Sequence, residues 1–335
     1  MMQSLNIGLE FHRVARDHSE FPAILSPEET VTYKQLWNLT ENLAKVFIGS
    51  GVDSTSTVAL ATTDARVSLG TLLATATIGC RFVIAGKTLA KSAAVKPTHL
   101  FKTEGIETPK NARFSTLTAS EITKNINCDI PASVTCTGSL DLEAPWLYLH
   151  TSGTTGAAKY MALSQQVVLD RTKAIKRDFE FAATTMATLF GVTSRPFFAR
   201  ALGALLNGGA IVASHDISFW YDVGVDYVCG SPGQASHFFE ALTPLPRKLN
   251  RIEVSGAKIS DELVANLLQH FETVIDIYGA SETNKTYATE YSFEQSGAVK
   301  KVGRMLDSEI EIRSESGAIC GSGEIGQVFI RNPYM

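Results

Sequence analysis

The chain has 335 residues, of which 44% are hydrophobic and 19% charged, and its formal net charge is −4. This apolar content suffices for a large globular core, which chains of this length divide into two or three subdomains. No basic block or Arg/Lys stripe is present, so a nucleic-acid partner is not expected. The longest apolar stretch, residues 201–213, is interrupted by glycines and falls short of a membrane span.

The cysteine pattern and the N-terminal segment indicate the cellular compartment of the protein. The five cysteines are scattered, with no Cys-x-x-Cys pair and no histidine at ligand spacing. Neither a disulfide framework nor a zinc site is therefore predicted. Residues 1–25 are broken by repeated charges and lack the continuous apolar core of a signal peptide. Together these features predict a soluble protein of the reducing cytoplasm.

Strand and helix patterns alternate from residue 32 to residue 278. In the first part, the periodicity predicts a capped helix over 32–51, a strand over 58–61, a helix from Asp64 to Gly79 and a strand over 82–84. Residues 91–144 show no sustained period and are predicted as loops around short strands. After residue 144 we predict a helix from Ser164, a strand over 188–192, a helix over 200–206, strands over 211–212 and 227–229, a helix over 234–242, a strand over 251–254, a helix from Ser260 to about Phe271 and a strand over 274–278.

This alternation predicts an α/β fold that is doubly wound, with mostly parallel sheets and helices on both faces. From residue 286 onward the sequence pattern changes, and polar and apolar residues alternate as is typical of antiparallel strands. We therefore expect paired α/β subdomains over 1–284 and an antiparallel, barrel-like subdomain over 285–335.

A run of hydroxyls and glycines follows the strand-like residues 147–149. It comprises Thr151, Ser152, Gly153, Thr154, Thr155 and Gly156, with Lys159 shortly after. Glycines let backbone N–H groups converge on an anion, the hydroxyls add donors, and the lysine adds a positive charge. A Walker-type loop is excluded because two alanines separate Gly156 from Lys159. A solvated turn is the simpler alternative, but the unbroken run favours a loop that binds nucleotide phosphate.

A second candidate segment, Tyr278-Gly279-Ala280-Ser281-Glu282, ends the strand predicted over 274–278. The ring of Tyr278 offers a face on which adenine can stack, Ser281 a hydroxyl for a phosphate, and Glu282 an oxygen ligand for Mg²⁺. A solvated glutamate at a strand end is the alternative for so short a motif. Ligands gather beyond the carboxyl ends of strands in open parallel sheets, so this segment and the phosphate loop are expected to share one crevice.

Residues 151–159 resemble the phosphate loop of the adenylate-forming superfamily, which comprises acyl- and aryl-CoA synthetases, adenylation domains of nonribosomal peptide synthetases, and luciferases. Seven positions match in order, while Ala158 and Tyr160 depart from the family pattern. Residues 278–282 resemble the next conserved motif of that family, and residues 302–304 with 323–326 resemble a third. Three motifs in the family order make the resemblance specific.

Further residues are carried over from the resemblance. Residues 255–258 resemble the adenine-side turn of the family, which implies that Gly256 and Ala257 bind the nucleotide. Asp276 occupies a position from which many members reach the adenine amino group, although a buried or capping aspartate is an equal alternative. His150 departs from the family and is expected to be a packed side chain rather than a base.

The resemblance implies that a carboxylic acid attacks ATP to give an acyl-adenylate and pyrophosphate. Lys159 and Glu282 then have catalytic roles, with Glu282 binding Mg²⁺. The acyl group passes next to the thiol of coenzyme A or of the phosphopantetheine on an acyl or peptidyl carrier protein, and less often to an amine. Alternatives are a non-catalytic module that binds nucleotide or an acyl group, and an amino-acid-adenylating domain.

The acid is constrained by residues 191–198, where amino-acid-activating members carry an aspartate for the substrate ammonium. This stretch has no acidic residue, so an acyl or aryl acid without a free amino group is expected. The expected pocket residues are Arg195, Phe197, Phe198, Gly230 and Ser231. Family members continue into a ribose-binding aspartate and a small domain with a catalytic lysine. We therefore expect the large N-terminal domain alone, with little activity of its own.

Overall fold

The computed structural model describes residues 6–85, 95–103, 114–117, 124, 141–151, 159–179, 184–240, 242–243 and 245–335. The helices of the described residues are α1 (Ile7–Asp17), α2 (Tyr33–Gly49), α3 (Ala65–Ile78), α4 (Gln165–Phe179), α5 (Arg195–Leu205), α6 (Ile217–Asp222), α7 (Pro232–Phe239) and α8 (Asp261–His270). The strands are β1 (Pro22–Leu25), β2 (Thr30–Thr32), β3 (Thr57–Ala61), β4 (Arg81–Ile84), β5 (His99–Thr103), β6 (Phe114–Leu117), β7 (Pro145–Thr151), β8 (Lys159–Ser164), β9 (Thr185–Thr188), β10 (Ala210–Val212), β11 (Tyr227–Gly230), β12 (Leu249–Ser255), β13 (Phe271–Ala280), β14 (Asn284–Phe293), β15 (Val299–Met305), β16 (Glu309–Arg313) and β17 (Gln327–Arg331).

The chain forms two compact units, Met1–Val225 and Asp226–Met335. In the first unit, a six-stranded sheet has the order β6-β5-β3-β4-β7-β8. Its neighbours are parallel except for β7 and β8, which form an antiparallel pair. A further group of strands has the order β9-β10-β1-β2, in which β9, β10 and β1 are parallel and β2 is antiparallel to β1.

In the second unit, five strands have the order β15-β14-β13-β12-β11. Strands β11, β12 and β13 are parallel, whereas β13, β14 and β15 pair antiparallel. Strands β16 and β17 form a separate antiparallel pair. The predicted fold class is therefore confirmed: parallel sheets flanked by helices are followed by a smaller antiparallel part. The functional division at residue 284 remains a prediction.

Local capping signals place several helices where the sequence predicts them. Thr32 and Gln35 form the predicted capping box at the start of α2: the Gln35 amide donates to Thr32 Oγ1 at 3.2 Å, and the Thr32 amide donates to Gln35 Oε1 at 2.8 Å. Asp64 caps α3, which ends at Gly79 in the left-handed region with φ +81°. The predictions of a helix at Ser164 and of another at Ser260 are confirmed as well.

The strand predicted over 188–192 is wrong, because β9 ends at Thr188. The side chain of Ser194 accepts a hydrogen bond from the Phe197 amide, and Pro196 stands in the first turn of α5. These two residues begin the helix at Arg195, ahead of the predicted start. The strand after α8 also differs: β13 extends through Ala280 and turns directly back into β14.

The N-terminal helix α1 was missed by the sequence prediction. Asn6 caps it through the Leu9 amide, and Ile7, Phe11, Val14 and Ala15 form its buried face. Charged residues occupy the opposite face. The charges that excluded a signal peptide therefore belong to an amphipathic surface helix.

Candidate functional site

The predicted phosphate loop is framed by the hairpin of β7 and β8. The register pairs Thr151 with Lys159 and His150 with Tyr160. This pairing brings the backbones at the two ends of the motif together. Residues 152–158, including the predicted Ser152, Gly153, Thr154, Thr155 and Gly156, lie outside the described residues.

His150 is exposed and packs edge-on against Tyr160, with the ring centroids 5.8 Å apart. Partial burial raises the pKa of the Tyr160 phenol. Tyr160, which departs from the family pattern, therefore supplies the aromatic contact for His150.

The second motif ends in a tight hairpin turn. Ser281, Glu282 and Thr283 connect the last residue of β13 to the first residue of β14. Thr283 Oγ1 accepts a hydrogen bond from the Ala280 amide at 3.1 Å, and Asn284 adopts a left-handed conformation with φ +60°. We call residues 281–283 the acidic turn.

The acidic turn is also held from outside. Thr286 Oγ1 donates to the Tyr278 carbonyl at 2.9 Å, and the Asn332 side-chain amide donates to the Thr283 carbonyl. The segment that carries Asn332 is fixed in turn by Tyr334, whose hydroxyl donates to Asp307 Oδ2 at 2.6 Å. A sequence reading of the motif does not reveal this support, because Asn332 lies 49 positions from Thr283.

The side chain of Glu282 in the acidic turn and that of Tyr278 before it are both exposed to solvent. Tyr278 is 50% exposed, and Glu282 is exposed as well. The residues that the structure describes contain no group of three or more His, Cys, Asp or Glu able to hold a metal ion together. Glu282 nevertheless fits Mg²⁺, which is bound in nucleotide sites through one or two carboxylates, substrate phosphates and water.

The predicted adenine-side turn follows β12 directly. Gly256 has φ +97°, a conformation that L side chains rarely adopt, and Gly256 and Ala257 are exposed. Asp276 lies on the neighbouring strand, half-buried and paired in register with Val254. Burial raises the pKa of the Asp276 carboxyl, and the positive charge of Lys301 partly opposes that shift.

Gly230 and Ser231, predicted as pocket residues, lie at the end of β11 and the start of α7. Ser231 forms a capping box with Gln234, whose amide donates to Ser231 Oγ at 3.2 Å. Ser231 Oγ also donates to Gln234 Oε1 at 2.9 Å. The hydroxyl of Ser231 is therefore engaged in starting the helix.

A cavity of about 450 Å³ lies in the first unit, beyond the carboxyl ends of β1, β9 and β10. The N-terminal residues of α3 and α5 also reach it. Its apolar lining comprises Ile24, Val31, Ala65, Leu189, Phe190, Val192, Phe197, Val212 and Ala213. Of the two phenylalanines predicted for the acid pocket, Phe197 lines this cavity. Phe198 packs in the core instead, with its ring 5.7 Å from that of Phe82.

The rim of this cavity is charged. Arg66 Nε donates to Asp64 Oδ1 at 3.0 Å, and its guanidinium also pairs with Glu29. The hydrogen bonds to Asp64 raise the pKa of Arg66. Glu28 adds a further carboxylate at the rim, so acidic groups outnumber the arginine there. The sequence analysis predicted Asp64 only as a helix cap. It did not find the ion pair of Arg66 with Glu29, because these two residues lie 37 positions apart in the sequence.

Comparisons with known proteins agree with this architecture. The chain superposes on the N-terminal subdomain of NpsA from Klebsiella oxytoca, in complex with 3-hydroxybenzoyl-AMSN, with a TM-score of 0.77 and 17% identity, covering 98% of this chain and 87% of that one. It superposes on o-succinylbenzoate CoA synthetase (MenE) from Bacillus subtilis with a TM-score of 0.80 and 14% identity, covering 97% of this chain and 70% of that one. The fold is therefore that of the adenylate-forming enzymes.

A curated relative is the uncharacterized acyl-CoA ligase YhfT of Bacillus subtilis (strain 168), which is 26% identical over 206 residues. That match covers 58% of this chain and 42% of the relative, so the chain matches less than half of the relative's length. The family model of AMP-binding enzymes matches residues 11–335. The chain belongs to the AMP-binding enzyme family. Within the described ranges, no helix has the length and apolar character needed to cross a membrane.

Proposed function

We propose that this chain binds ATP and Mg²⁺ and activates a carboxylic acid without a free amino group as its acyl-adenylate. The observation that carries the proposal is the acidic turn. It carries the exposed Glu282 four positions after the exposed Tyr278, and hydrogen bonds from the Ala280 amide and the Asn332 side chain hold it in place. A turn whose backbone is already held is suited to orient a charged ligand, because little backbone order remains to be gained on binding.

The chemistry is mainly a problem of charge. A carboxylate must approach a triphosphate of the same sign, and Mg²⁺, when bound, supplies the positive charge that screens them. Glu282 would hold the ion, and Lys159 together with the hydroxyls and amides of residues 151–156 would bind phosphate oxygens, as the family resemblance implies. The ring of Tyr278 stacks on adenine beside Gly256 and Ala257.

The cavity supports the acyl or aryl character of the acid. A volume of about 450 Å³ lies within the range of small-molecule sites, and Phe190 and Phe197 give it an apolar wall. Glu28 and Glu29 at the rim disfavour a second carboxylate on the substrate. We therefore propose a monocarboxylic acid whose apolar body occupies the cavity.

The acceptor in the second step is proposed to be a thiol, that of coenzyme A or of a carrier-protein phosphopantetheine. Support comes from the relatives: YhfT is described as an acyl-CoA ligase, MenE was crystallised with the CoA product analogue OSB-NCoA, and NpsA was studied fused to a carrier protein. We place the reaction in the cytoplasm.

The proposal is tested by exchange of radiolabelled pyrophosphate into ATP across a panel of acyl, aryl and amino acids. The assay is run with this chain and with the protein as its gene encodes it. We expect exchange with one class of monocarboxylic acid, and its loss in Glu282→Gln and in Lys159→Met. Nucleotide binding without exchange for any acid would instead favour a non-catalytic binding module. Exchange with amino acids would favour an amino-acid-adenylating domain.

A further inference from the structure

A buried charge cluster lies in the second unit, close to the acidic turn. Glu253 has no exposed surface, and its Oε2 atom accepts hydrogen bonds from the Tyr227 hydroxyl and the Lys285 ammonium. The Lys285 side chain is 11% exposed, and Tyr227 is buried. The guanidinium of Arg251 lies over the Tyr227 ring, 5.2 Å from its centroid.

The cluster connects two segments assigned to the nucleotide. Glu253 lies on β12, shortly before the adenine-side turn at Gly256. Lys285 is the second residue of β14, three positions after Glu282, and it pairs in register with Gly279. The Lys285–Glu253 ion pair therefore joins the base of the acidic turn to the strand that carries the adenine-side turn.

Separating this ion pair would cost considerable free energy, because the carboxylate of Glu253 is fully buried. A buried carboxylate without a partner is strongly disfavoured, so Glu253 retains the ammonium of Lys285. Charge-assisted hydrogen bonds are also shorter and stronger than the neutral ones that Thr283 and Thr286 make around the same turn. The ammonium thus restricts where the backbone on the β14 side of the acidic turn can lie.

We propose that Lys285 is a positioning residue for the nucleotide site: held by Glu253 and Tyr227, it fixes the acidic turn so that Glu282 meets the metal ion of Mg·ATP. This inference rests on the proposed nucleotide site and extends it to residues that do not themselves touch the ligand. Mutation of a group that orients a metal ligand typically costs about 10–100-fold in metal affinity or activity.

The test is calorimetric binding of Mg·ATP, and separately of ATP with EDTA, to wild type and to Lys285→Met. We expect Mg·ATP binding to weaken about tenfold, as for other groups that orient metal ligands, while metal-free binding changes less than about twofold. Lys285→Arg, which keeps the charge, should restore most of the affinity. Lys300→Met, an exposed lysine of the same unit, serves as the matched control and should bind as wild type does.

Equal weakening with and without Mg²⁺, or no weakening, would overturn the inference, since a purely structural role affects both forms alike. If Lys285→Met does not fold, the double variant Glu253→Leu/Lys285→Met removes both charges and is expected to fold. It should show the same selective loss, and wild-type Mg·ATP affinity in it would contradict the proposal. A wild-type protein that binds Mg·ATP without pyrophosphate exchange would refute the catalytic function but leave this inference standing. Absence of Mg·ATP binding would remove both.

Discussion

The backbone of Gly279 lies against the carbonyl of Asn284 so closely that a Cβ atom at position 279 would stand 2.0 Å from the carbonyl oxygen. The two residues lie on neighbouring strands just outside the acidic turn, where Gly279 of β13 pairs with Lys285 and Asn284 of β14 pairs with Ala280. Gly279 is therefore required by the close approach of the two strands in the β13–β14 hairpin, independently of any ligand.

Gly279→Ala should force the acidic turn to shift, because the methyl group meets backbone rather than a flexible side chain. We expect a loss of about 1–3 kcal/mol in the free energy of unfolding and a clear loss of Mg·ATP affinity. Urea unfolding and calorimetry measure the two effects. Gly233→Ala is the matched control, since a Cβ at that helical position meets nothing within 4 Å. Unchanged Mg·ATP affinity in Gly279→Ala would show that the turn does not determine the site.

Ala213→Trp should fill part of the cavity in the first unit. The exposed Ala213 lines the cavity, and its backbone amide donates to the Leu25 carbonyl at 2.8 Å, a bond that the substitution retains. We expect the KM for the acid to rise about tenfold or more while the KM for ATP stays the same. Pyrophosphate exchange measures both constants, and the exposed Ala265→Trp is the control. An unchanged KM for the acid would place the acid pocket elsewhere.

His270 should make stability depend on pH below neutrality. It is 1% exposed, it packs against Phe239, and burial lowers its pKa. The unfolded imidazole takes up a proton near pH 6.5, whereas the folded one resists it, so the unfolding free energy should fall as pH decreases below that value. His270→Leu should reduce this fall in urea unfolding between pH 7.5 and about 5.5. The exposed His237→Leu should retain it, and an unchanged slope in His270→Leu would contradict the assignment.

Cys80 should resist alkylation in the folded protein. It has no exposed surface, and burial raises the pKa of its thiol to about 12. Cys320 is half-buried and should react with iodoacetamide faster, by a factor on the order of 100, as read by mass spectrometry of the labelled peptides. Because the folded pKa is raised, the unfolding free energy should also decline as pH rises above about 9, where the unfolded thiol ionises. Cys80→Ala should reduce that decline, and rapid labelling of Cys80 would show that the residues covering it open readily.

Features encoded by neighbouring residues were accessible from the sequence. The capping box of Thr32 and Gln35 and the cap at Asp64 involve groups within a few positions of each other, so residue type and spacing determine them. The adenylate-forming motifs were recognisable for the same reason, since each is a short run. The start of α5 was misplaced because the apolar pattern across residues 188–192 is equally compatible with a strand and a loop.

The contacts that support the candidate site were not accessible in this way. Phe197 and Phe198 are adjacent and equally apolar, yet one lines the cavity and the other packs on Phe82, because successive helical residues point in different directions. The ion pair of Lys285 with Glu253 spans 32 positions and exists only through the register of β12, β13 and β14.

The sequence by itself thus determined the family and the fold class, and it predicted the residues of an ATP site, because these depend on local runs whose chemistry is carried by adjacent side chains. The tertiary structure decided which of those residues are exposed, which are engaged in capping and what holds the acidic turn. Strand pairing and register bring residues tens of positions apart into hydrogen-bond distance, and these pairings are a property of the folded chain as a whole.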